Sequence, residues 1–128
     1  MSNVDILKAH YAASARKDIA GMLAPFDPHV EWTEMAGFPY AGTYHGPEGV
    51  KENVFFRIGA EWDGYDALPD AFIDGGDTVA VTGLYQGTYK ATGKFMQARF
   101  VHVWMFQDGR AVKFEQYTDT LKVREAMY

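Results

Sequence analysis

The C-terminal half of the chain alternates between apolar and other residues with the two-residue period of a β-strand. Four such runs are present, and they cover residues 62–74, 78–89, 95–107 and 110–118. Short turn sequences rich in glycine separate them, at residues 75–77, 91–93 and 108–109. Since turns this short join neighbouring antiparallel strands, the pattern predicts four consecutive strands linked by hairpins.

The N-terminal half has instead the spacing of amphipathic helices. Apolar residues at helical spacing make up the first of these, and they are Val4, Leu7, Tyr11 and Ala15. Asp18 is a cap for a second short helix that stops at Pro25, and Pro47 suits the start of a third helix. The remaining predicted segments are a turn at 27–28, a strand at 30–34, a loop at 36–46 and a terminal helix at 119–127.

Helices that precede a run of hairpin strands are typical of an α+β fold. The long strands predict a cone-shaped, curved antiparallel sheet that wraps around the three N-terminal helices. Strand 95–107 is apolar on both faces, since Val101, Val103 and Met105 lie opposite the row that contains Phe100. An apolar outer face needs a cover, so we expect a homodimer through the sheet.

Composition limits the function classes. The 128 residues are 48% hydrophobic and 16% aromatic, which suits a single domain over residues 1–128 with a core and a lined cavity. The net charge is −5 and lysines and arginines do not cluster, so we expect no nucleic-acid partner. No apolar run approaches the roughly 20 residues of a membrane span, so no membrane partner is expected either.

Several kinds of chemistry are not supported by the sequence. The chain has no cysteine, which excludes disulfides and thiolate catalysis. It has no nucleotide-binding or nucleophile-elbow motif, so we expect no cofactor. His29 and Glu31 share a strand face but lack a third ligand, so no metal site is expected. The N-terminus does not have the pattern of a signal peptide, and we expect a cytoplasmic protein.

The strand at 95–107 contains the strongest candidate for chemistry. Its inner face holds His102 within a row of aromatic residues, which are Phe100, Trp104 and Phe106. An ionisable side chain among rings is costly unless it is hydrogen-bonded or used. The two readings are a core histidine that bonds a backbone group and a histidine that faces a cavity.

The order of elements resembles the superfamily of nuclear transport factor 2, ketosteroid isomerase and SnoaL-like proteins. The segment 100–114 is similar to the family's penultimate strand, Asp-Gly hairpin and last strand. Residues 32–34 and 42–50 are similar to its first strand, a loop and the glycine before the third helix. The resemblance implies a cystatin-like α+β barrel with an apolar cavity between sheet and helices.

The resemblance also implies roles for two polar residues, His102 and Tyr11, and the strand pattern adds Glu34. His102 stands where ketosteroid isomerases have the protonated aspartate of the oxyanion hole, and a histidine can donate a hydrogen bond or act as a base. Tyr11 lies near the position of the oxyanion tyrosine, and His10 competes for that position. Glu34 supplies a carboxylate two residues after Trp32 on the same strand face.

The chain departs from the family at its carboxylate positions. Trp32 occupies the approximate position of the isomerase general base, and tryptophan cannot accept a proton. Gln116 stands near the position of a carboxylate in SnoaL-type cyclases and limonene-type epoxide hydrolases. An amide can orient a ligand but cannot abstract a proton. We therefore expect neither strict ketosteroid isomerase nor limonene-type epoxide hydrolase activity.

Two functions remain as hypotheses. The first is a cofactor-independent enzyme that transfers a proton next to a carbonyl of a small hydrophobic or aromatic compound, with His102, Tyr11 and Glu34 as catalytic residues. Its expected ligand-binding residues are Trp32, Phe55, Phe56, Phe100, Trp104, Phe114 and Gln116. The second is a non-catalytic ligand-binding or dimerisation domain of the same fold.

Overall fold

Two capped helices begin the chain. In the computed structural model, which describes residues 1–128, α1 spans Asn3–Ala15 and α2 spans Ile19–Leu23. Ser2 and Asp5 form a capping box in which each side chain accepts the other residue's backbone N–H. The Asp18 side chain accepts the N–H of Gly21 at 3.0 Å. These caps depend on residues close in sequence, which explains why the sequence located both helices.

The third helical segment is continuous but not uniform. It begins as α3, Gly46–Val50, widens into a π-helical turn at Lys51–Phe55 and continues as α4, Phe56–Glu61. Pro47 lies in its first turn, as expected for a residue that has no N–H to leave unpaired there. The sequence predicted the helix but not its π turn. Such turns are frequent at functional sites.

A curved, open sheet of six strands packs around these helices, so the predicted α+β fold is confirmed. The strands are β1 (Phe26–Glu34), β2 (Gly42–His45), β3 (Trp62–Gly75), β4 (Thr78–Tyr89), β5 (Phe95–Gln107) and β6 (Arg110–Thr118). Their order is β2-β1-β6-β5-β4-β3. All neighbours are antiparallel except β1 and β6, which are parallel. A short helix α5, Thr120–Glu125, follows β6.

The first two strands correct the sequence-based prediction. β1 begins at Phe26, although residues 27–28 were predicted to form a turn. The strand tolerates Pro28 because its pairing with β6 shifts between Phe26 and Glu31, where no regular ladder bond is lost. β2 lies within the predicted loop at 36–46. It has only four residues, too few for alternation to be visible.

The inner sheet face forms the core with the helices, and the outer face is partly apolar. On β5 the buried residues are Met96, Ala98, Phe100, His102, Trp104 and Phe106. Exposed apolar residues of the sheet include Leu68, Ile73, Phe95, Val101 and Tyr117. The homodimer through this face and the cytoplasmic location stay predictions. No helix is both long and apolar enough to cross a bilayer.

Candidate functional site

A cavity of about 550 Å³ lies between the inner face of the sheet and the helices. This volume falls in the usual range of small-molecule sites. Its walls are mostly apolar, and they include Trp32, Phe38, Val54, Phe55, Trp104 and Phe114. The widened π turn contributes two consecutive residues, Val54 and Phe55, to the same wall. The ring of Phe55 meets that of Trp32 edge-on at 5.6 Å.

His102 lies at the centre of β5 and is bonded through both ring nitrogens. Nδ1 is 2.6 Å from the hydroxyl oxygen of Tyr11, and Nε2 is 2.5 Å from that of Tyr85. Burial lowers the pKa of His102 well below its usual value, so the imidazole is neutral at physiological pH. The hydrogen-bond partners of His102 are thus the side-chain hydroxyls of two residues that line the cavity, and not a backbone group.

Each of these two tyrosines also receives a second, fixed hydrogen bond. The indole Nε1 of Trp104 donates to the Tyr11 hydroxyl at 3.0 Å. The amide Nε2 of Gln116 donates to the Tyr85 hydroxyl at 3.3 Å. The Gln116 oxygen accepts the backbone N–H of Met35 at 3.3 Å, which sets the orientation of the amide. Burial raises the pKa values of both tyrosines, so both hydroxyls keep their protons.

Glu34 is a buried carboxyl group with one free oxygen. It is 4% exposed, and its Oε1 accepts the indole N–H of Trp32 at 3.2 Å. Oε2 has no hydrogen-bond partner, and the buried hydroxyl of Tyr65 has none either. Both residues line the cavity. Burial raises the pKa of Glu34 to about 8, so at neutral pH it is mainly a neutral acid.

His10 lines the cavity beside Tyr11 but has a different role. Its Nδ1 is 2.8 Å from the carbonyl oxygen of Met22, so this nitrogen holds the proton and donates it. Burial lowers the pKa of His10 to about 4. Of the two alternatives drawn from the sequence, both side chains reach the cavity, and Tyr11 is the one bonded to His102.

The expected ligand-binding residues are placed around this cavity with one exception. The members that line it are Trp32, Phe55, Phe56, Trp104, Phe114 and Gln116. Phe56 is 52% exposed, which puts it on the solvent side of the cavity. Phe100 does not line it and is corrected to a core residue. Its ring stacks on that of His102 at 4.0 Å, so it supports the imidazole from behind.

Exposed charged residues lie at the solvent side of the cavity. Lys17 donates from Nζ to the backbone oxygen of Tyr65 at 2.6 Å and pairs with Asp66 at 2.9 Å. Lys90 and Asp63 are 3.9 Å apart. The bond from Lys17 ties the loop after α1 to β3 at Tyr65, the residue that carries the unpartnered hydroxyl.

Sequence reasoning missed Tyr85 and Tyr65. The alternation of β4 places Tyr85 on the inner face, but its contact with His102 depends on the register of β4 and β5. In that register Val81 is opposite His102, and Tyr85 reaches the ring from four residues further along β4. Gly83 lies between them, and a Cβ there would come within 2.4 Å of the Phe100 ring. Gly83 was the available sequence signal, because a glycine inside a strand often marks a place where a neighbouring group approaches closely.

Replacing Glu34 with glutamine is expected to change the pH dependence of stability. The folded protein keeps a proton on Glu34 that the unfolded chain releases above pH 4.5, so stability from this group falls as pH rises towards 8. The lowered pKa values of His10 and His102 give the opposite slope, which ends near pH 6.5. Between pH 6.5 and 8, the free energy of unfolding of the wild type should fall by up to about 1.4 kcal/mol per pH unit, and Glu34→Gln should not show this fall.

Urea denaturation of both proteins at pH 6.5 and pH 8 measures this difference. The exposed Glu52→Gln variant is the matched control, and it should follow the wild type. Equal pH slopes for the wild type and Glu34→Gln would show that Glu34 does not hold a proton in the folded protein.

Known protein structures match nearly the whole chain. The family model described as a SnoaL-like domain matches residues 7–114. An NTF2-like protein from Burkholderia thailandensis E264 is 52% identical, with a TM-score of 0.97, and the match covers 100% of this chain and 98% of that one. An NTF2-like protein of unknown function from Burkholderia pseudomallei K96243 is 33% identical, with a TM-score of 0.90 and 98% of each chain covered.

A third similar protein was crystallised together with a small molecule. It is TerC co-crystallized with polyporic acid, which is 32% identical to this chain with a TM-score of 0.89. The match covers 98% of this chain and 97% of TerC. A search of curated proteins found no match.

Proposed function

This chain belongs to the SnoaL-like domain family, and from its cavity we propose that it is a cofactor-independent enzyme that moves a proton next to a carbonyl group. The substrate is a small hydrophobic or aromatic compound. One observation carries the proposal: two buried polar groups without partners, Glu34 Oε2 and the Tyr65 hydroxyl, line an otherwise apolar cavity. An unpaired buried polar group costs about 1–3 kcal/mol, which a ligand that bonds to it would offset.

Glu34 is the proposed acid and base. A catalytic group works best when its pKa lies near the working pH, and burial raises the pKa of Glu34 to about 8. In its ionised form it removes a proton from the carbon beside the carbonyl, and the electron pair of the C–H bond forms an enolate. The neutral acid then returns the proton at another carbon, or protonates a leaving hydroxyl so that water departs.

Tyr11 is the proposed donor to the enolate oxygen. Its buried hydroxyl accepts from Trp104 and, in the tautomer of His102 that carries its proton on Nδ1, from His102 as well. In that tautomer its own proton is free to bond the ligand, so no rearrangement is needed when negative charge develops. His102 has both nitrogens bonded to tyrosines, so it acts on a ligand through Tyr11 and Tyr85. The aromatic walls favour a flat ligand, and the co-crystallization of TerC with polyporic acid, an aromatic hydroxyquinone, supports this class.

The test is hydrogen exchange beside a carbonyl. The protein is incubated with 1-tetralone or 2-tetralone in D₂O, and deuterium uptake at the carbon next to the carbonyl is followed by NMR. We expect uptake faster than in buffer, inhibition by polyporic acid, and a loss of about 10²-fold or more in Glu34→Gln. Uptake at the buffer rate for both ketones would contradict the proposal.

A second candidate function is a ligand-binding domain without catalysis. The observation that favours it is that tyrosine hydroxyls occupy both nitrogens of His102 and leave it no direct contact with a ligand. Saturable binding of 1-tetralone or polyporic acid without any deuterium uptake would support this candidate over the enzyme.

A further inference from the structure

Tyr11, His102 and Tyr85 form one continuous hydrogen-bonded chain, which we call the relay. Each tyrosine contacts one ring nitrogen of His102, at 2.6 and 2.5 Å. A tyrosine hydroxyl has one proton and two lone pairs, so it can make three hydrogen bonds. In each tyrosine, one is made with His102 and one with a fixed N–H, from Trp104 or Gln116. One hydrogen bond therefore remains to each hydroxyl, and both residues line the cavity.

The remaining two hydrogen bonds have opposite directions. A neutral imidazole has one N–H and one lone pair, so it accepts from one tyrosine and donates to the other. When Nδ1 accepts from Tyr11, Nε2 donates to Tyr85, which leaves Tyr85 a free proton and Tyr11 a free lone pair. The other tautomer of His102 exchanges these roles. The relay thus always offers the cavity one donor and one acceptor.

We propose that the relay recognises a substrate that carries both a carbonyl oxygen and a hydroxyl or enol group. The relay moves the proton of the hydroxyl or enol group to the carbonyl oxygen. This inference rests on the proposed function and narrows its substrate to conjugated hydroxy-ketones. Tyr11 and Tyr85 contact the substrate and are the catalytic residues of the relay. His102 acts through them, and it is a positioning and proton-carrying residue.

The transfer is balanced without any co-reactant. The substrate hydroxyl gives its proton to the Tyr11 oxygen while the Tyr11 proton moves to Nδ1 of His102. The Nε2 proton moves to the Tyr85 oxygen, and the Tyr85 proton bonds to the substrate carbonyl oxygen. Electrons shift through the conjugated bonds, so the hydroxyl becomes a carbonyl and the carbonyl becomes a hydroxyl. The relay ends in the other tautomer, and water in the emptied cavity returns it by the reverse transfer.

Three probes with the same bicyclic skeleton test the recognition. They are 6-hydroxy-1-tetralone with both groups, 1-tetralone with the carbonyl alone and 5,6,7,8-tetrahydro-2-naphthol with the hydroxyl alone. Since each added hydrogen bond of about 1.4 kcal/mol changes affinity tenfold, calorimetry should give the first probe a Kd about tenfold lower than either of the others. Tyr11→Phe and Tyr85→Phe should each remove this advantage.

The control is Tyr44→Phe, because the Tyr44 hydroxyl bonds to backbone oxygens outside the cavity. It should keep the advantage. Equal or undetectable binding of the three probes to the wild type overturns the proposal. An advantage of 6-hydroxy-1-tetralone that survives Tyr85→Phe also overturns it.

A second measurement does not depend on any variant of the tyrosines. In protein labelled with ¹⁵N-histidine, the ring nitrogens of His102 are identified by their absence in His102→Gln. We expect a single ring proton at pH 7 and opposite shifts of the two nitrogens when 6-hydroxy-1-tetralone binds. Protons on both nitrogens overturn the relay.

Failure of the relay and failure of the proposed function give different results. A tighter Kd for 6-hydroxy-1-tetralone without deuterium uptake from D₂O by the tetralones supports the relay and contradicts carbon-proton transfer. Deuterium uptake with equal Kd values for the three probes supports the proposed function and overturns the relay.

Discussion

Tyr11→Phe is expected to lower kcat/KM for deuterium exchange into 1-tetralone by about 10²–10³-fold, the usual cost of removing one preorganised donor to a developing oxyanion. Most of the loss should fall on kcat, because the hydroxyl bonds more strongly to the enolate than to the ketone. The substitution keeps the ring, which meets His10 edge-on at 5.0 Å and lies parallel to His102 at 5.9 Å. It leaves the Trp104 N–H without a partner, which costs about 1–3 kcal/mol of stability.

The kinetic constants are measured for wild type, Tyr11→Phe and Tyr44→Phe under the same conditions. Tyr44→Phe loses a hydroxyl that is remote from the cavity, and its kcat/KM should stay within about twofold of the wild type. A Tyr11→Phe enzyme that also stays within about threefold would exclude Tyr11 as the donor. Tyr65, whose hydroxyl is free in the same cavity, would then be the next residue to replace.

The features that the sequence predicted well are those whose causes are local. The cap at Asp18 forms within three residues, and the turn at 108–109 joins adjacent strands. The alternation on β5 predicts that His102 lies on the buried face, and the structure has it there. The resemblance to the SnoaL-like family is also confirmed, since the family model matches residues 7–114, a range that contains the segments 32–34, 42–50 and 100–114 on which the resemblance rests.

The features that the sequence did not predict depend on contacts between distant segments. The parallel pairing of β1 with β6 joins residues more than 80 positions apart, and β2 exists only because β1 offers it an edge. Tyr65 reaches the cavity after a register shift in β3 between Asp63 and Asp66. The two-residue alternation of apolar positions in the sequence does not reveal such a shift.

The same limit applies to the environment of the site residues. Glu34 ends a strand, and a carboxyl at a strand end is usually solvated. It is buried here because Trp32 donates to it and the surrounding rings exclude water. For His102, the sequence indicated an aromatic surrounding, but the two tyrosines on its nitrogens come from α1 and β4. Which atoms a buried histidine bonds is a tertiary property, and here it is the reason for proposing a relay instead of a direct base.

Trp104→Ala is expected to lower the free energy of unfolding by about 3–5 kcal/mol, the typical cost of truncating a large buried aromatic residue. Trp104 is fully buried, and its ring lies 4.7 Å from Phe114, 5.5 Å from Trp32 and 6.0 Å from Phe26. Alanine would open a void next to a cavity that already exists, so little of the lost packing can be recovered by collapse. Since domains of this size are stable by about 5–15 kcal/mol, the variant should be close to unfolding at 37 °C.

The variant Trp104→Phe separates the contribution of the aromatic ring from that of the indole N–H. It keeps most of the aromatic packing, so we expect a smaller loss of stability than for alanine, and it removes the donor to Tyr11. Urea denaturation followed by circular dichroism measures both variants against the wild type. A loss below about 1 kcal/mol for Trp104→Ala would mean that the rings around it repack. In that case the aromatic wall would not be rigid enough to hold the Tyr11 hydroxyl in place, and the preorganisation argued for that donor would lose its structural basis.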